Sequence, residues 1–154
     1  MDDLEAYKAM RLESLKNCPG YFGNSYDLEA AFPETEWQHR LTDTSRACFG
    51  LYHLDELIGI TAILIEDADA RQAYLTQSYI RESHRKRGLS RLLYQARINW
   101  AKEQGVRKLI IGHRKSNEIS RRANQRFGFI YTHCEPRDWP DGTSEPFLYY
   151  FLEL

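Results

Sequence analysis

The sequence contains few cysteines, no long apolar run and no large excess of one charge. Its three cysteines, Cys18, Cys48 and Cys134, are widely spaced and form neither a CxxC pair nor a Cys/His cluster with zinc spacing. The most apolar segment covers only residues 57–65, far below the ~18–20 residues of a membrane-spanning helix. These absences predict a protein without disulfide bonds, a metal site or a membrane span.

The charge balance and the first residues of the chain exclude further classes of protein. With 21 Lys and Arg against 22 Asp and Glu, the formal net charge is −1, whereas a generic nucleic-acid-binding domain is basic. Residues 1–5 carry acidic side chains and no basic one, unlike a secretory or transit peptide. We therefore expect a cytoplasmic protein that does not bind nucleic acid.

The length of 154 residues suits one domain, and no repeat or Pro/Gly/Ser-rich linker divides residues 1–154. Hydrophobic periodicity and breaker residues predict the order of elements. In chain order these are a helix over 3–16, a helix over 33–41, a hairpin of strands 46–52 and 57–66, a strand over 73–80, a helix from about 89 that ends at Gly105, a strand over 108–113, a helix over 119–127, and strands over 129–134 and 147–154. This order indicates an α/β (α+β) fold with a mixed sheet.

A basic turn joins the predicted strand that ends at Ile80 to the helix that begins near Ser90. The side chains that add positive charge to this turn are Arg85, Lys86 and Arg87. The first N–H groups of a helix lack internal acceptors and carry roughly half a positive charge, so they favour an anion. Gly88 and Ser90 are small and would let a diphosphate approach the backbone. The turn therefore predicts an anion site, with a solvated basic turn as the alternative.

Two segments resemble the GNAT N-acetyltransferase superfamily. Residues 85–90, Arg-Lys-Arg-Gly-Leu-Ser, are similar to its acetyl-CoA signature R/Q-x-x-G-x-G/A, and residues 117–129 are similar to its Asn-initiated helix that ends in Gly-Phe. The resemblance covers nearly the whole chain. It implies the GNAT fold, a mixed and mostly antiparallel central sheet flanked by helices, in which the splayed strands 73–80 and 108–113 hold acetyl-CoA.

The resemblance also implies how the cofactor is held. Backbone groups around Tyr79 and Ile80 pair with the pantetheine, and the Ile80 N–H polarises the thioester carbonyl. Backbone amides of residues 87–91 hold the pyrophosphate, and Asn117 bonds the pantetheine region. The implied cofactor-binding residues are Tyr79, Ile80, Arg85, Lys86, Arg87, Gly88, Leu89, Ser90, Arg91, Asn117 and Asn124.

The sequence departs from the family pattern in four places. Ser90 replaces the second Gly or Ala of the signature, and Glu82 stands where many members have proline. Asn124 occupies the position where many members have a tyrosine that protonates the CoA thiolate. The chain also starts almost at its first helix, so we expect the sheet to lack the first edge strand of the family.

The charges are distributed unevenly along the chain. Residues 81–91 and 114–126 each hold five Lys or Arg against one Glu, whereas the remaining residues carry a net charge of −9. We expect the first segment to face the cofactor phosphates. We expect the part of the second segment after Asn117 to face the 3′-phosphate or solvent.

The implied reaction is direct attack of a primary amine of a small molecule or peptide on acetyl-CoA, within a ternary complex. The ammonium form must first lose a proton to a base. Glu66 and Asp67 are candidates near the end of a strand, and an exposed acidic loop is the alternative. His113 lies beside the proposed slot and has the pKa range of a proton shuttle, with a structural role as the alternative.

The source of the proton for the departing thiolate is open. Because Asn124 is a poor acid, the candidates are water and a tyrosine, of which Tyr79 and Tyr131 are nearest in sequence. The acceptor site in this family is built by the first two helices and the loop between the last strands. Its candidate residues here are Tyr21, Phe22, Tyr26, Phe32, Trp37, Trp139, Asp138, Asp141 and Glu145, with core packing as the alternative for the aromatic ones.

Two other functions remain open from the sequence. A catalytically weak GNAT-like domain could bind acyl-CoA as a sensor or interaction module, which the missing tyrosine supports. The basic segments could instead form a nucleic-acid surface, although their arginines are not interleaved with stacking aromatics. Pairing across a free edge strand makes a homodimer a further expectation.

Overall fold

The computed structural model describes residues 3–154; Met1 and Asp2, part of the acidic start, lie outside the described residues. The helices are α1 (Asp3–Asn17), α2 (Tyr26–Ala30), α3 (Glu34–Thr42), α4 (Ser90–Glu103) and α5 (Glu118–Arg126). The strands are β1 (Arg46–His53), β2 (Glu56–Asp67), β3 (Gln72–Ile80), β4 (Lys108–Arg114), β5 (Ile130–Glu135) and β6 (Phe147–Glu153). Nearly every element lies where the hydrophobic periodicity predicts it.

Helix α2 is the element that periodicity does not predict. It has five residues, too few for an apolar stripe to repeat. Its local signal is a cap, because Ser25 precedes it and the Ser25 hydroxyl accepts a hydrogen bond from the Leu28 N–H at 3.2 Å. Pro33 then precedes α3 in extended conformation, which separates the two helices.

The six strands form one sheet in the order β1-β2-β3-β4-β6-β5. All neighbours are antiparallel except β3 and β4, which are parallel. This confirms the mixed, mostly antiparallel sheet. Among the described residues, β1 forms one edge of this sheet and β5 the other. A homodimer through such an edge stays a prediction.

Helices cover both faces of the sheet. One core joins α4 and α5 to the sheet through residues such as Tyr94, Ala101, Leu109 and Ile111. The second core joins α1 and α3 to the opposite face. Its buried residues are Tyr7, Met10, Trp37, Ile60 and Tyr79. The sheet therefore separates a first compartment, under α4 and α5, from a second compartment, under α1 to α3.

A buried carboxylate ties the three helices of the second compartment together. Glu29 of α2 is fully buried and accepts two hydrogen bonds from Arg11 of α1, at 2.7 and 3.0 Å, and one from Arg40 of α3 at 2.9 Å. Asn24 donates a fourth bond at 2.9 Å. Four charge-assisted or polar bonds on one carboxylate fix the otherwise short α2 against its neighbours.

In the part of the chain that the structure describes, no helix is long and apolar enough to cross a membrane. The same residues contain no group of three or more His, Cys, Asp or Glu side chains that could hold a metal ion.

Candidate active site

Strands β3 and β4 separate toward their C-terminal ends. They pair only from Gln72 to Tyr74 on β3 and from Lys108 to Ile110 on β4. Beyond that point β3 contains a bulge, where the register with β2 shifts and Gln77 adopts a left-handed φ of 58°. The result is a gap between the two strands in the middle of the sheet, where the family resemblance predicts that they splay apart.

The backbone of Ile80 faces this gap. The Arg81 N–H donates to the Ile58 carbonyl of β2 at 2.8 Å, and successive residues of a strand direct their polar groups to opposite sides. Consistent with this, the Ile80 carbonyl accepts a bond from Arg85 Nε at 2.7 Å instead of from β2. Tyr79 lies opposite Ile60 and two residues before Arg81, so its backbone groups turn toward β2, whereas those of Ile80, opposite Gly59, turn toward the gap.

The basic turn ends in a helix start that lacks a cap. Leu89 precedes α4 without a side-chain cap, and the first turn of α4 contains no acidic residue. Lys86 and Gly88 both have left-handed φ values, 60° and 72°, which turn the chain back toward the helix. The side chains of Arg85, Lys86 and Arg87 are exposed, and that of Arg85 turns toward the Ile80 carbonyl and the Tyr79 ring. This arrangement suits a diphosphate.

Helix α5 begins at the same edge of the sheet, because β3 and β4 are parallel. Asn117 caps it, with Asn117 Oδ1 accepting a bond from the Ser120 N–H at 3.2 Å. The oxygen is thus occupied by the helix, while the Asn117 side-chain NH₂ has no protein partner within residues 3–154. Only this NH₂ group is available for the cofactor contact expected of Asn117.

A cavity of about 640 Å³ lies at the C-terminal end of β3, against α1. Tyr79 Oη donates to Glu13 at 3.2 Å and accepts from Asn17 at 3.2 Å. Arg81 binds both oxygens of Glu13 at 2.8 Å, and this hydrogen-bonded pairing lowers the pKa of Glu13. Sequence reasoning missed Glu13 and Asn17, because only the fold brings α1 next to the end of β3.

The acidic candidate Glu66 lies at the wrong end of the sheet. Residues 65 and 67 pair with residues 73 and 72 at the start of β3, whereas Ile80 ends that strand. At roughly 3.3 Å per residue the two ends of β3 are about 25 Å apart. The Glu66 side chain instead accepts a bond from Gln72 at 3.0 Å. Neither Glu66 nor Asp67 is therefore placed to deprotonate an amine at the gap.

His113 lies near the gap but is enclosed. It is buried, its Nδ1 bonds the Arg114 carbonyl at 2.6 Å, and its Nε2 bonds Tyr150 Oη at 3.0 Å. The carbonyl contact requires a proton on Nδ1, so Nε2 accepts from the tyrosine. Burial lowers the pKa of His113. The contacts match the structural alternative for this residue, since neither nitrogen faces the gap unbonded.

The lowered pKa of His113 predicts a pH dependence of stability. Below its ordinary pKa of about 6.5, His113 binds a proton more readily in the unfolded chain, so acidification from pH 7 toward 5 lowers the free energy of unfolding. Its share is at most about 1.4 kcal/mol per pH unit. Urea unfolding of the His113→Gln variant should show a flatter dependence over this range. Equal slopes for wild type and His113→Gln would contradict the prediction.

Asn124 is a core residue in this structure. Only 1% of its surface is exposed, and its Oδ1 accepts a bond from Tyr94 Oη at 2.5 Å. Its amide nitrogen is buried without a hydrogen-bond partner in the described part of the chain. The side chain therefore links α5 to α4 beneath the surface and does not reach the gap, so a catalytic or direct cofactor contact is not supported for Asn124.

The expected acceptor residues divide into core and surface. Trp37 and Trp139 are buried, so they pack and do not line an open site. Tyr21 and Tyr26 are exposed beside the α1–α2 connection. Among the acidic candidates, Asp138 bonds Ser144, whereas Asp141 and Glu145 both pair with Arg114. The two carboxylates that pair with Arg114 therefore offer no free charge to a cationic acceptor.

A second cavity, of about 370 Å³, lies between α5 and the strands β5 and β6. Its lining includes Lys115, Arg121, Tyr131 and Tyr150. Arg121 pairs with Glu118 at 3.2 Å on the helix surface. Tyr131 lies here, on the edge strand β5, and so it is remote from the expected thiolate position beside Ile80.

Comparison with known proteins connects this geometry to a family. Residues 10–129 match the acetyltransferase (GNAT) family. The structure superposes on ribosomal-protein-alanine N-acetyltransferase from Brucella melitensis with a TM-score of 0.81 and 18% identity, over 99% of this chain and 94% of that one.

Two similar structures contain acetyl-CoA. A GNAT family acetyltransferase from Elizabethkingia anophelis with acetyl-CoA bound gives a TM-score of 0.63 at 21% identity, over 79% of this chain and 84% of that one. The yncA protein from Salmonella typhimurium with its cofactor acetyl-CoA gives 0.78 at 17% identity, over 99% and 88%. At these identities the likeness shows a shared fold.

Proposed function

The chain belongs to the GNAT acetyltransferase family, and we propose that it transfers the acetyl group of acetyl-CoA directly to a primary amine of a small molecule or peptide. The observation that carries the proposal is the gap between β3 and β4, which ends beside the uncapped start of α4. Acetyl-CoA supplies an activated thioester carbonyl and a polyanionic handle. The gap offers an unpaired strand edge to the thioester end of acetyl-CoA and free helix N–H groups to its phosphates.

Individual residues have separate roles in this proposal. The Ile80 backbone pairs with the pantetheine, and the Asn117 NH₂ group donates to the same arm. Backbone N–H groups of residues 87–91 hold the diphosphate, and the charges of Arg85, Lys86 and Arg87 offset its negative charge. Arg85 must give up its bond to the Ile80 carbonyl for the pantetheine to pair there.

The acceptor amine approaches from the α1 side, where the cavity lined by Glu13 and Tyr79 opens. Glu13 is ionised because Arg81 lowers its pKa, but both of its oxygens bond Arg81, so it offers no free charge to an ammonium group. A carboxylate with a lowered pKa is a weak base, and His113 is enclosed. We therefore assign deprotonation of the amine to water, and the candidates for protonation of the thiolate are water and Tyr79, whose hydroxyl lies in the cavity.

The range of acceptors to test follows from the open cavity and from one neighbour. A structural neighbour is named for acetylation of ribosomal protein alanine, so a peptide with an N-terminal alanine belongs in the panel. Spermidine, lysine and an aminoglycoside represent the other classes of primary amine.

The test is the release of free thiol from acetyl-CoA, measured with a chromogenic thiol reagent in the presence of each amine. Amine-dependent release together with an N-acetylated product supports the transferase. Tight acetyl-CoA binding without turnover on any amine would instead support the acyl-CoA-binding sensor or interaction module, for which the absent tyrosine at position 124 remains the argument. Absence of acetyl-CoA binding would contradict both functions.

A further inference from the structure

Arg114, the last residue of β4, binds two separate loops at once. Its Nη1 donates to the Gly20 carbonyl at 2.9 Å, in the connection between α1 and α2, and to Asp141 at 2.7 Å. Its Nε donates to Glu145 at 2.5 Å, and its Nη2 donates to the Thr143 hydroxyl. The last three partners belong to residues 136–146, the loop between β5 and β6. We call these five residues the Arg114 cluster.

Arg114 is the buried centre of the cluster, whereas Asp141 and Thr143 are exposed. Every nitrogen of the guanidinium has an acceptor, and the Arg114 side chain is 11% exposed. The guanidinium also lies 5.1 Å from the centre of the Trp139 ring. Hydrogen bonds from Thr143 and Arg114 lower the pKa of Asp141 to about 2, so this carboxylate stays ionised across the physiological range. A planar five-donor group is the side chain that can satisfy such a set, and lysine cannot replace it.

Gly20 shows how closely the two loops approach each other. It has a left-handed φ of 80°, and a Cβ at this position would lie 2.6 Å from Asp141 Oδ2 and 2.7 Å from Arg114 Nη1. The backbone at residue 20 is thus in direct contact with the carboxylate and the guanidinium. Only glycine permits both this conformation and this contact.

The loop over residues 136–146 is itself a defined unit. The Trp139 N–H donates to the Thr143 carbonyl at 2.8 Å, and the Glu145 N–H donates to the Arg137 carbonyl at 3.0 Å. Glu145 also accepts a bond from the Ser116 hydroxyl at 3.1 Å, in the segment that leads into α5. The Lys115 N–H also donates to the Pro146 carbonyl at 3.0 Å, so the loop is tied to the segment before α5, and Arg114 ties it in addition to Gly20 in the connection between α1 and α2.

Arg114 lies on the face of the sheet from which the amine approaches. Leu109 and Ile111 belong to the core under α4 and α5, and alternation along β4 places Arg114 on the opposite face. Both loops held by Arg114 lie on that α1 side, next to the open end of the gap.

We propose that Arg114 is a positioning residue, which fixes residues 18–25 and 136–146 as two walls of the acceptor site relative to the acetyl group. The inference rests on the proposed function, because only a transferase has an acceptor site here. This role of Arg114 changes the role expected of the acidic loop residues, which was to line the acceptor site. Asp141 and Glu145 hold the walls through Arg114 and do not bind the amine themselves.

The first test of the Arg114 cluster needs no acceptor. Hydrogen exchange of the Arg114→Met variant should become faster by at least about tenfold in residues 18–25 and in residues 136–146 together, since one group holds both. The matched control is Arg107→Met, which removes an exposed arginine at the other end of β4. Unchanged exchange in either loop would overturn the proposal, whatever the activity of the protein.

The second test separates positioning from general stability. With the best amine of the panel, Arg114→Met should raise the KM for the amine at least about tenfold, because misplaced walls bind it poorly, while the KM for acetyl-CoA stays within about twofold. Asp141→Asn keeps the arginine and should give a smaller rise, which provides a variant in case Arg114→Met does not fold. Equal changes in both KM values, or no change in the amine KM, would overturn the proposal. If the wild-type protein acetylates none of the amines, the proposed function is refuted. The hydrogen-exchange result would still show whether Arg114 holds the two loops.

Discussion

Replacing Ser90 by aspartate is expected to weaken acetyl-CoA binding by at least roughly 100-fold, about 2.7 kcal/mol, while the protein stays folded. Ser90 is the first residue of α4, and the first turn has no acidic residue or side-chain cap. A carboxylate at a helix N-terminus stabilises the helix, so the substitution is compatible with the fold. The same carboxylate occupies the N–H groups that the diphosphate needs and repels its charge. Calorimetric titration with acetyl-CoA measures the loss.

Two control variants show whether charge at this place is the cause. Ser90→Ala removes the hydroxyl without adding charge and should bind acetyl-CoA within about threefold of wild type, because backbone N–H groups make the contact. Gln95→Asp adds the same charge on the exposed side of the same helix, where it should have little effect. Comparable affinity of Ser90→Asp and wild type would show that the diphosphate does not lie at the start of α4.

Replacing Glu29 by glutamine is expected to lower the free energy of unfolding by about 3–5 kcal/mol, the range for breaking a buried ion pair from one side. Burial by itself would raise the pKa of Glu29. The hydrogen bonds and charge of Arg11, the hydrogen bond from Asn24 and the charge of Arg40 together hold this pKa below its usual value. Without the carboxylate, the buried Arg11 guanidinium loses its counter-charge, and Arg40 keeps only its pair with Glu36 at 3.3 Å. Urea unfolding at pH 7 measures the change.

The acid dependence and a neighbouring residue provide the controls for Glu29. A lowered pKa means that this stabilisation is present above the unfolded value of about 4.3 and is lost as the pH falls through the folded value. The difference between wild type and Glu29→Gln should therefore shrink below about pH 4. Asp27→Asn, on the exposed side of α2, should change stability by less than about 0.5 kcal/mol. A similarly small effect at Glu29 would contradict the view that this carboxylate fixes α2.

The elements of the fold follow closely from local patterns. The stripe of apolar residues in α4 and the alternating or continuous apolar runs of the strands depend on residues a few positions apart, which a single sequence shows. The basic turn before Ser90 was likewise predicted as an anion site, because a small residue, positive charges and a helix start lie within one short segment. Helix α2 was missed, since one turn of helix has no period to detect.

The catalytic and acceptor residues depend on contacts between distant parts of the chain. Glu66 ends a strand, but the sequence does not show that this end is opposite to the end of β3 beside the gap. Trp37 looks the same in sequence whether it lines a pocket or fills the core. The contact between Glu13 and Arg81 spans 68 residues, and the contact between Arg114 and Gly20 spans 94. Neither has a local signal from which it could have been predicted.

The central claim, that acetyl-CoA occupies the gap between β3 and β4 with its diphosphate at the start of α4, is tested most directly by hydrogen exchange of the wild-type protein with and without acetyl-CoA. We expect slower exchange in residues 75–91 and 111–120, where the strand edge and both helix starts meet the cofactor, and unchanged exchange in β1 and β5. Unchanged exchange around Ile80 and Ser90 at saturating acetyl-CoA, or protection confined to the cavity beside Arg121 and Tyr131, would contradict the claim.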